Sequence, residues 1–162
     1  MAKEIERKFL VRSDGWRSAV ETRSVLRQGY IASMDDRSVR VRVLDSRKAR
    51  LTIKIGRSAI TRDEFEYDIP VADAEELLQN AIGIVIEKTR YRVPHKGFVW
   101  EVDVFAGAHR GLVIAEVEMT SETDDPGLPS WLGREVTGDA RYSNQALATE
   151  YEHDRHGLSN TA

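Results

Sequence analysis

Carboxylates and cationic side chains recur in this chain two residues apart, interleaved with apolar ones. Glu4 and Glu6, Glu116 and Glu118, joined by Asp103, offer the hard oxygen donors that Mg2+ and Mn2+ prefer, and an i, i+2 spacing puts both members of a pair on one face of a strand. Arg40, Arg42, Lys54, Lys88, Arg90 and Arg92 offer charge-assisted hydrogen bonds, bidentate for arginine, that phosphate oxygens accept. A divalent ion beside a basic cage points to phosphate chemistry, because phosphoryl transfer needs positioning and charge stabilisation rather than a protein nucleophile.

Other chemistry has less to stand on. The chain has no cysteine, which excludes disulfides, thiolate metal sites and cysteine nucleophiles and suits a reducing compartment. His95, His109, His153 and His156 fall in apparent loops or a terminal helix without a metal-binding pattern, and read as surface residues. Ser33, Ser38 and Ser58 have no nucleophile-elbow context, and no Gly-x-x-x-x-Gly-Lys loop exists, so phosphates must be held by side chains. A net charge of -3 gives the whole molecule no field for nucleic acid or an anionic membrane, so an anion site must be local. The N-terminus enters a charged alternation without an apolar h-region, and no run is long enough to cross a bilayer. The expectation is a cytoplasmic protein, monomer or homodimer, whose partner is a small phosphorylated substrate.

The elements that must position these groups follow from the same alternation. Glu4, Glu6 and Lys8 oppose Ile5 and Phe9; Arg40 and Arg42 lie between Val39, Val41 and Val43; Thr52 and Lys54 lie between Leu51, Ile53 and Ile55. Glu64, Glu66 and Asp68 oppose Phe65, Tyr67 and Ile69, and residues 86–92 carry Lys88, Arg90 and Arg92 at one parity. Glu101 and Asp103 oppose Trp100, Val102 and Val104, as Glu116 and Glu118 oppose Ala115, Val117 and Met119. With Leu26–Ala32 this makes about eight strands. A short helix is predicted over Asp73–Ala81, with Leu77 and Leu78 facing the sheet, and a last one over Tyr142–His156, stopped by Gly157. Residues 124–133, rich in proline and glycine, read as a loop with a brief helical turn at Trp131. A chain of 162 residues, 41% hydrophobic, fits a single domain over 1–157 with a tail over 158–162.

Any one of these charged rows is what a half-exposed antiparallel sheet displays to water. Their sum is harder to explain so, and a flat eight-stranded sheet would leave edges to protect. Closure into an antiparallel barrel, with helices outside and charges inside, resolves both. The predicted class is therefore α+β, mainly β: a closed eight-stranded antiparallel barrel with a charged lumen, to which Glu64, Glu66 and Glu101 add further acids.

At Glu4-Ile5-Glu6-Arg7-Lys8 the chain resembles the Glu-x-Glu-x-Lys signature of the CYTH superfamily, the triphosphate tunnel metalloenzymes. The likeness continues through Arg40-Val41-Arg42, Lys54, Glu64 and Glu66, residues 87–91, Glu101-Val102-Asp103, Glu116-Val117-Glu118 and 135–144. That resemblance implies an eight-stranded tunnel in which Glu4, Glu6, Asp103, Glu116 and Glu118 hold one or two Mg2+ or Mn2+ ions. It implies that Lys8, Arg40, Arg42, Lys54, Lys88 and Arg90 bind a phosphate chain, with Lys8 and Tyr30 as a catalytic pair. Arg141, Tyr142 and Asn144 would belong to a closing C-terminal segment of structural role. Short bacterial members are similar, which makes hydrolysis of inorganic tripolyphosphate the first expectation. Class IV adenylate cyclase, an organic triphosphatase and a non-enzymatic polyphosphate-binding module remain as alternatives.

Overall fold

The alternating segments do form strands, and the last of them closes on the first. The computed structural model describes residues 2–56 and 61–150; Ser58, His153, His156 and the 158–162 tail lie outside the described residues. In chain order the strands are β1 (Ala2–Val11), β2 (Thr22–Ser33), β3 (Arg37–Leu44), β4 (Lys48–Gly56), β5 (Thr61–Ile69), β6 (Ile82–His95), β7 (Phe98–Phe105), β8 (Val113–Glu118) and β9 (Leu132–Glu135). They pair antiparallel in the order β5-β4-β3-β2-β6-β7-β8-β1, and a further β5–β1 pairing shuts the eight into a barrel. β1 serves three neighbours: Glu6–Leu10 run beside β8 on one edge, while on the other Ala2–Ile5 meet β5 and Phe9–Val11 meet β9.

β9 departs from expectation, since residues 124–133 read as loop. Only Leu132 and Gly133 of that stretch are strand, and they lie on the piece of β1 edge that β5 leaves uncovered. Hairpin chemistry is local and legible: Lys96 and Gly97, both at positive φ (49° and 82°), make a two-residue turn between paired His95 and Phe98, the backbone type whose twist matches that of the flanking strands.

Among the described residues two α-helices accompany the barrel, both with bounds that differ from prediction. α1 runs Val71–Leu78, two residues earlier than expected, because Pro70 (φ -60°, ψ 139°) supplies a preset entry at the N-cap. Its Ala74 and Leu78 are buried against Val41, Val43 and Ala49 on the barrel exterior, with Leu77 partly buried beside them. α2 is only Asn144–Thr149 within the described residues, after a 3-10 turn at Ala140–Tyr142. Ser143 caps it by accepting from the Ala146 amide.

α2 does not lie on the outer wall. Leu10, Ile86, Phe105 and Ile114 share the inward parity of Lys8, Lys88, Asp103 and Glu116, and they form one apolar cluster with Tyr142, Leu147 and Ala148. One end of the lumen is therefore hydrophobic and stoppered by α2, and the charges fill the remainder. Gly83 makes the fit possible: at φ +71° its missing Cβ leaves room for the Ala148 carbonyl oxygen, which a side chain there would strike. Gly83→Ala is expected to cost about 2 kcal/mol or more, from left-handed backbone strain plus overpacking, read as a lowered midpoint in denaturant unfolding.

His109 corrects the reading of the histidines as surface residues. It is buried, stacks edge-on to Phe105 at 6.2 Å between centroids, and its Nε2 lies 2.7 Å from the Leu147 carbonyl oxygen. A third cluster, holding Phe9, Trp16, Trp100, Val102, Val117 and Trp131, covers another outer face. No helix among the described residues is long and apolar enough to cross a membrane.

Candidate active site

Inside the barrel lies a polar cavity of about 240 Å3 whose lining, among the described residues, carries seven carboxylates and seven cationic side chains. With the totals balanced, the distribution decides what the cavity attracts. β3 contributes Arg40 and Arg42, β4 Arg50 and Lys54, β5 Arg62, β6 Arg90 and β1 Lys8. The acids come chiefly from β1 (Glu4, Glu6) and β8 (Glu116, Glu118), with Glu64 and Glu66 from β5 and Glu101 from β7. Cross-strand register sets Glu6 opposite Glu118 and Lys8 opposite Glu116, and Glu116 also faces Glu101.

Cations next to the acids are already paired. Lys54 Nζ lies 2.9 Å from Glu4, Arg62 Nη2 donates to Glu6 at 3.0 Å, and Lys8 Nζ stands 3.5 Å from Glu116 and donates to the Tyr142 carbonyl at 3.2 Å. Burial opposes the charge on Lys8, yet Glu116 and Glu6 hold its ammonium above the ordinary lysine range.

The arginines of β3 are different. Arg40 is 5% exposed and Arg42 9%, neither has a carboxylate within ion-pair distance among the described residues, and the buried Nε of Arg40 has no acceptor. Arg42 donates to the neutral Gln28 Oε1 at 2.8 Å. Burial, then the charges of Arg40 and Arg90, push Arg42 down to about 9. Two adjacent buried guanidiniums without counter-ions are costly unless an anion joins them.

Lys88 and Asp103, expected to touch phosphate and metal respectively, stand behind the cavity lining. Lys88 Nζ is 2.7 Å from Asp103 Oδ2, donates to Asn144 Oδ1 at 3.1 Å and lies 5.3 Å from the Phe105 ring centroid. Asp103 also accepts a bidentate pair from Arg90 at 2.7 and 2.8 Å. Despite its burial, Arg90 and Lys88 hold the Asp103 carboxyl well below the usual range. Arg92 is exposed and outside the cavity, and Tyr30 lines it, buried.

Several lining residues were not anticipated. Arg62 and Arg50 share the parity of Glu64 and Lys54, so the two-residue alternation contained them. Ser143, Asn144 and Gln145 reach the cavity only because α2 stoppers it, which no strand pattern foretells. Among the described residues no three acids or histidines converge on one point. Burial, followed by the charges of Glu4, Glu64, Glu101 and Glu6, pushes the Glu118 carboxyl up, a crowding of hard oxygen donors that a divalent cation relieves.

A closed antiparallel barrel with opposed acidic and basic walls turned inward defines a charged tunnel protein. Residues 2–151 match the CYTH domain model, and the chain belongs to that family, whose triphosphatases are in general metal-dependent. It is 50% identical over 148 residues to the inorganic triphosphatase of Acetivibrio thermocellus, covering 91% of this chain and 94% of the other. It is 40% identical over 151 residues to the inorganic triphosphatase of Nitrosomonas europaea, covering 90% and 96%. The crystal structure of an inorganic triphosphatase superposes with a TM-score of 0.64 at 39% identity, over 92% of this chain and 96% of that one.

Proposed function

We propose that this chain hydrolyses inorganic tripolyphosphate inside the barrel, in the cytoplasm, with Mg2+ or Mn2+ as cofactor. The observation that carries the reading is the Arg40–Arg42 pair, buried without a directly paired carboxylate among the described residues, which calls for a compact polyanion in a cavity of about 240 Å3. Similarity to two proteins named inorganic triphosphatase supports the choice of substrate.

Arg40, Arg42 and Arg90 would grip the phosphate chain first, since Arg40 and Arg42 have no paired carboxylate to give up among the described residues. Glu4, Glu6, Glu116 and Glu118 fit a hard divalent ion by donor type and by crowding. A bound ion would supply neutralisation of phosphate charge and an activated water. Were Glu4 and Glu116 to turn to such an ion, Lys54 would keep Glu64, 3.7 Å away, and Lys8 the Tyr142 carbonyl, leaving both ammonium groups freer to meet phosphate oxygens. Lys8, charged at neutral pH, acts there as a cation, with Tyr30 beside it on the cavity wall. Asp103 has both oxygens engaged by Arg90 and Lys88 and serves to hold those side chains.

Phosphate release from tripolyphosphate with Mg2+ or Mn2+ tests the activity; cyclic AMP from ATP with no release from tripolyphosphate would replace it with the cyclase reading. Arg40→Met tests the site. It should weaken tripolyphosphate affinity by about 10- to 100-fold, the scale of a charge-assisted hydrogen bond, while leaving the ligand-free protein as stable as before or more so, because a buried unpaired charge is gone. Calorimetric titration and thermal unfolding read the two effects. A variant that is folded but less stable and keeps its tripolyphosphate affinity contradicts the assignment.

A further inference from the structure

The closing segment that leads into α2 was expected to be structural, yet the first residue of that helix places an amide in the cavity. Asn144 lines the lumen and is only partly buried, whereas Lys88 behind it is wholly enclosed. An ammonium is a donor without acceptor capacity. The atom of Asn144 that lies 3.1 Å from Lys88 Nζ must therefore be the carbonyl oxygen, as found. That contact settles which way the amide points: with Oδ1 held from behind, the two Nδ2 protons are directed away from Lys88, and among the described residues Nδ2 has no hydrogen-bond acceptor and is not one of the buried unsatisfied atoms. Lys88 is itself kept in place by Asp103 at 2.7 Å and by the Phe105 ring. Asp103 at the same time fixes Arg90, which lines the cavity, through two hydrogen bonds. One buried ion pair thus sets two donors that reach the lumen.

We propose that Asn144 is a substrate-binding residue, donating from Nδ2 to a phosphate oxygen of the polyanion, and that Lys88 and Asp103 are positioning residues that orient Asn144 and Arg90. The proposal rests on the tripolyphosphate reading above and deepens it. Lys88 then contributes through the amide it turns rather than by meeting the anion itself, and the C-terminal segment is part of the site that it closes.

The test is tripolyphosphate binding without metal, in chelator, followed by calorimetry and by the side-chain amide resonances of 15N-labelled protein. In Asn144→Ala the dissociation constant should rise about tenfold, as for loss of a hydrogen bond to a charged acceptor. In the wild type the Asn144 amide pair, identified by its absence from Asn144→Ala, should move downfield and exchange more slowly with water on titration. Asn144→Ser keeps an acceptor for Lys88 but offers one hydroxyl proton on a shorter side chain in place of the two amide protons, and should bind more weakly than the wild type; it also serves where the alanine variant unfolds. Wild-type affinity in Asn144→Ser, or an amide pair unmoved by saturating tripolyphosphate, overturns the proposal. Failure of the wild type to bind tripolyphosphate at all would instead remove the functional reading on which it rests.

Discussion

Glu116→Gln and Glu4→Gln are each expected to lower the rate of phosphate release from tripolyphosphate by about two to three orders of magnitude, since a catalytic ion contributes several kcal/mol and each ~1.4 kcal/mol is tenfold in rate. The substitutions are nearly isosteric, so the barrel should persist. Each removes a formal charge from the acidic wall and leaves a cation with less to hold it: Lys8 loses the partner 3.5 Å away, or Lys54 the one at 2.9 Å. Anion binding in chelator should therefore survive or strengthen while turnover collapses. Opposite signs for affinity and rate distinguish a lost metal ligand from a damaged fold. Full metal-dependent activity in both variants would sink the assignment of these acids.

Asp103→Ala is expected to destabilise the chain by about 3–5 kcal/mol, the cost of breaking a buried pair from one side. Asp103 is 1% exposed and, among the described residues, is the one carboxylate in contact with Lys88; it also anchors Arg90 with two hydrogen bonds. Without it, two cations remain enclosed beside Arg42, whose own charge is already disfavoured by burial and neighbouring arginines. The exposed Arg37–Asp36 pair offers the contrast, for solvent-screened contacts of that type contribute about 0–1 kcal/mol. Chemical denaturation measures the difference, and a loss below about 1 kcal/mol would be incompatible with the enclosure described. Added tripolyphosphate should restore part of the stability by supplying negative charge to the same cations.

Much of the barrel was legible because its inner face is charged where most interiors are apolar. A two-residue alternation of glutamate with isoleucine, or arginine with valine, assigns strand and facing at once, and Lys8, Arg40, Arg42, Lys54, Arg90, Glu4, Glu6, Glu116 and Glu118 all line one cavity or its wall. The reading faltered where parity carries no chemistry. At the stoppered end the same inward positions hold Leu10, Ile86 and Ile114, so periodicity alone gives no sign that the lumen has ended. β9 is four residues long and pairs with β1 at Phe9 and Val11, past the stretch that faces β5, a place that local sequence pattern does not mark. His109 looked like a loop histidine because its partner, the Leu147 carbonyl, is a backbone atom 38 residues away. Asn144 carries no charge and sits on a helix, outside every strand pattern, so its place in the cavity follows only from how α2 docks.

The barrel closes on itself where β1 meets β5, through Ala2–Ile5 and Thr61–Glu64 among the described residues. Glu4 sits on that seam, opposite Arg62, and the Arg62–Glu6 contact ties across it from within. The enclosure is therefore fastened at its closing line by the same side chains that face the ligand. A polyanion and cation gathering Glu4, Glu6 and Arg62 would act as a clasp, so that filling the tunnel and keeping it a tunnel are one equilibrium seen from two sides.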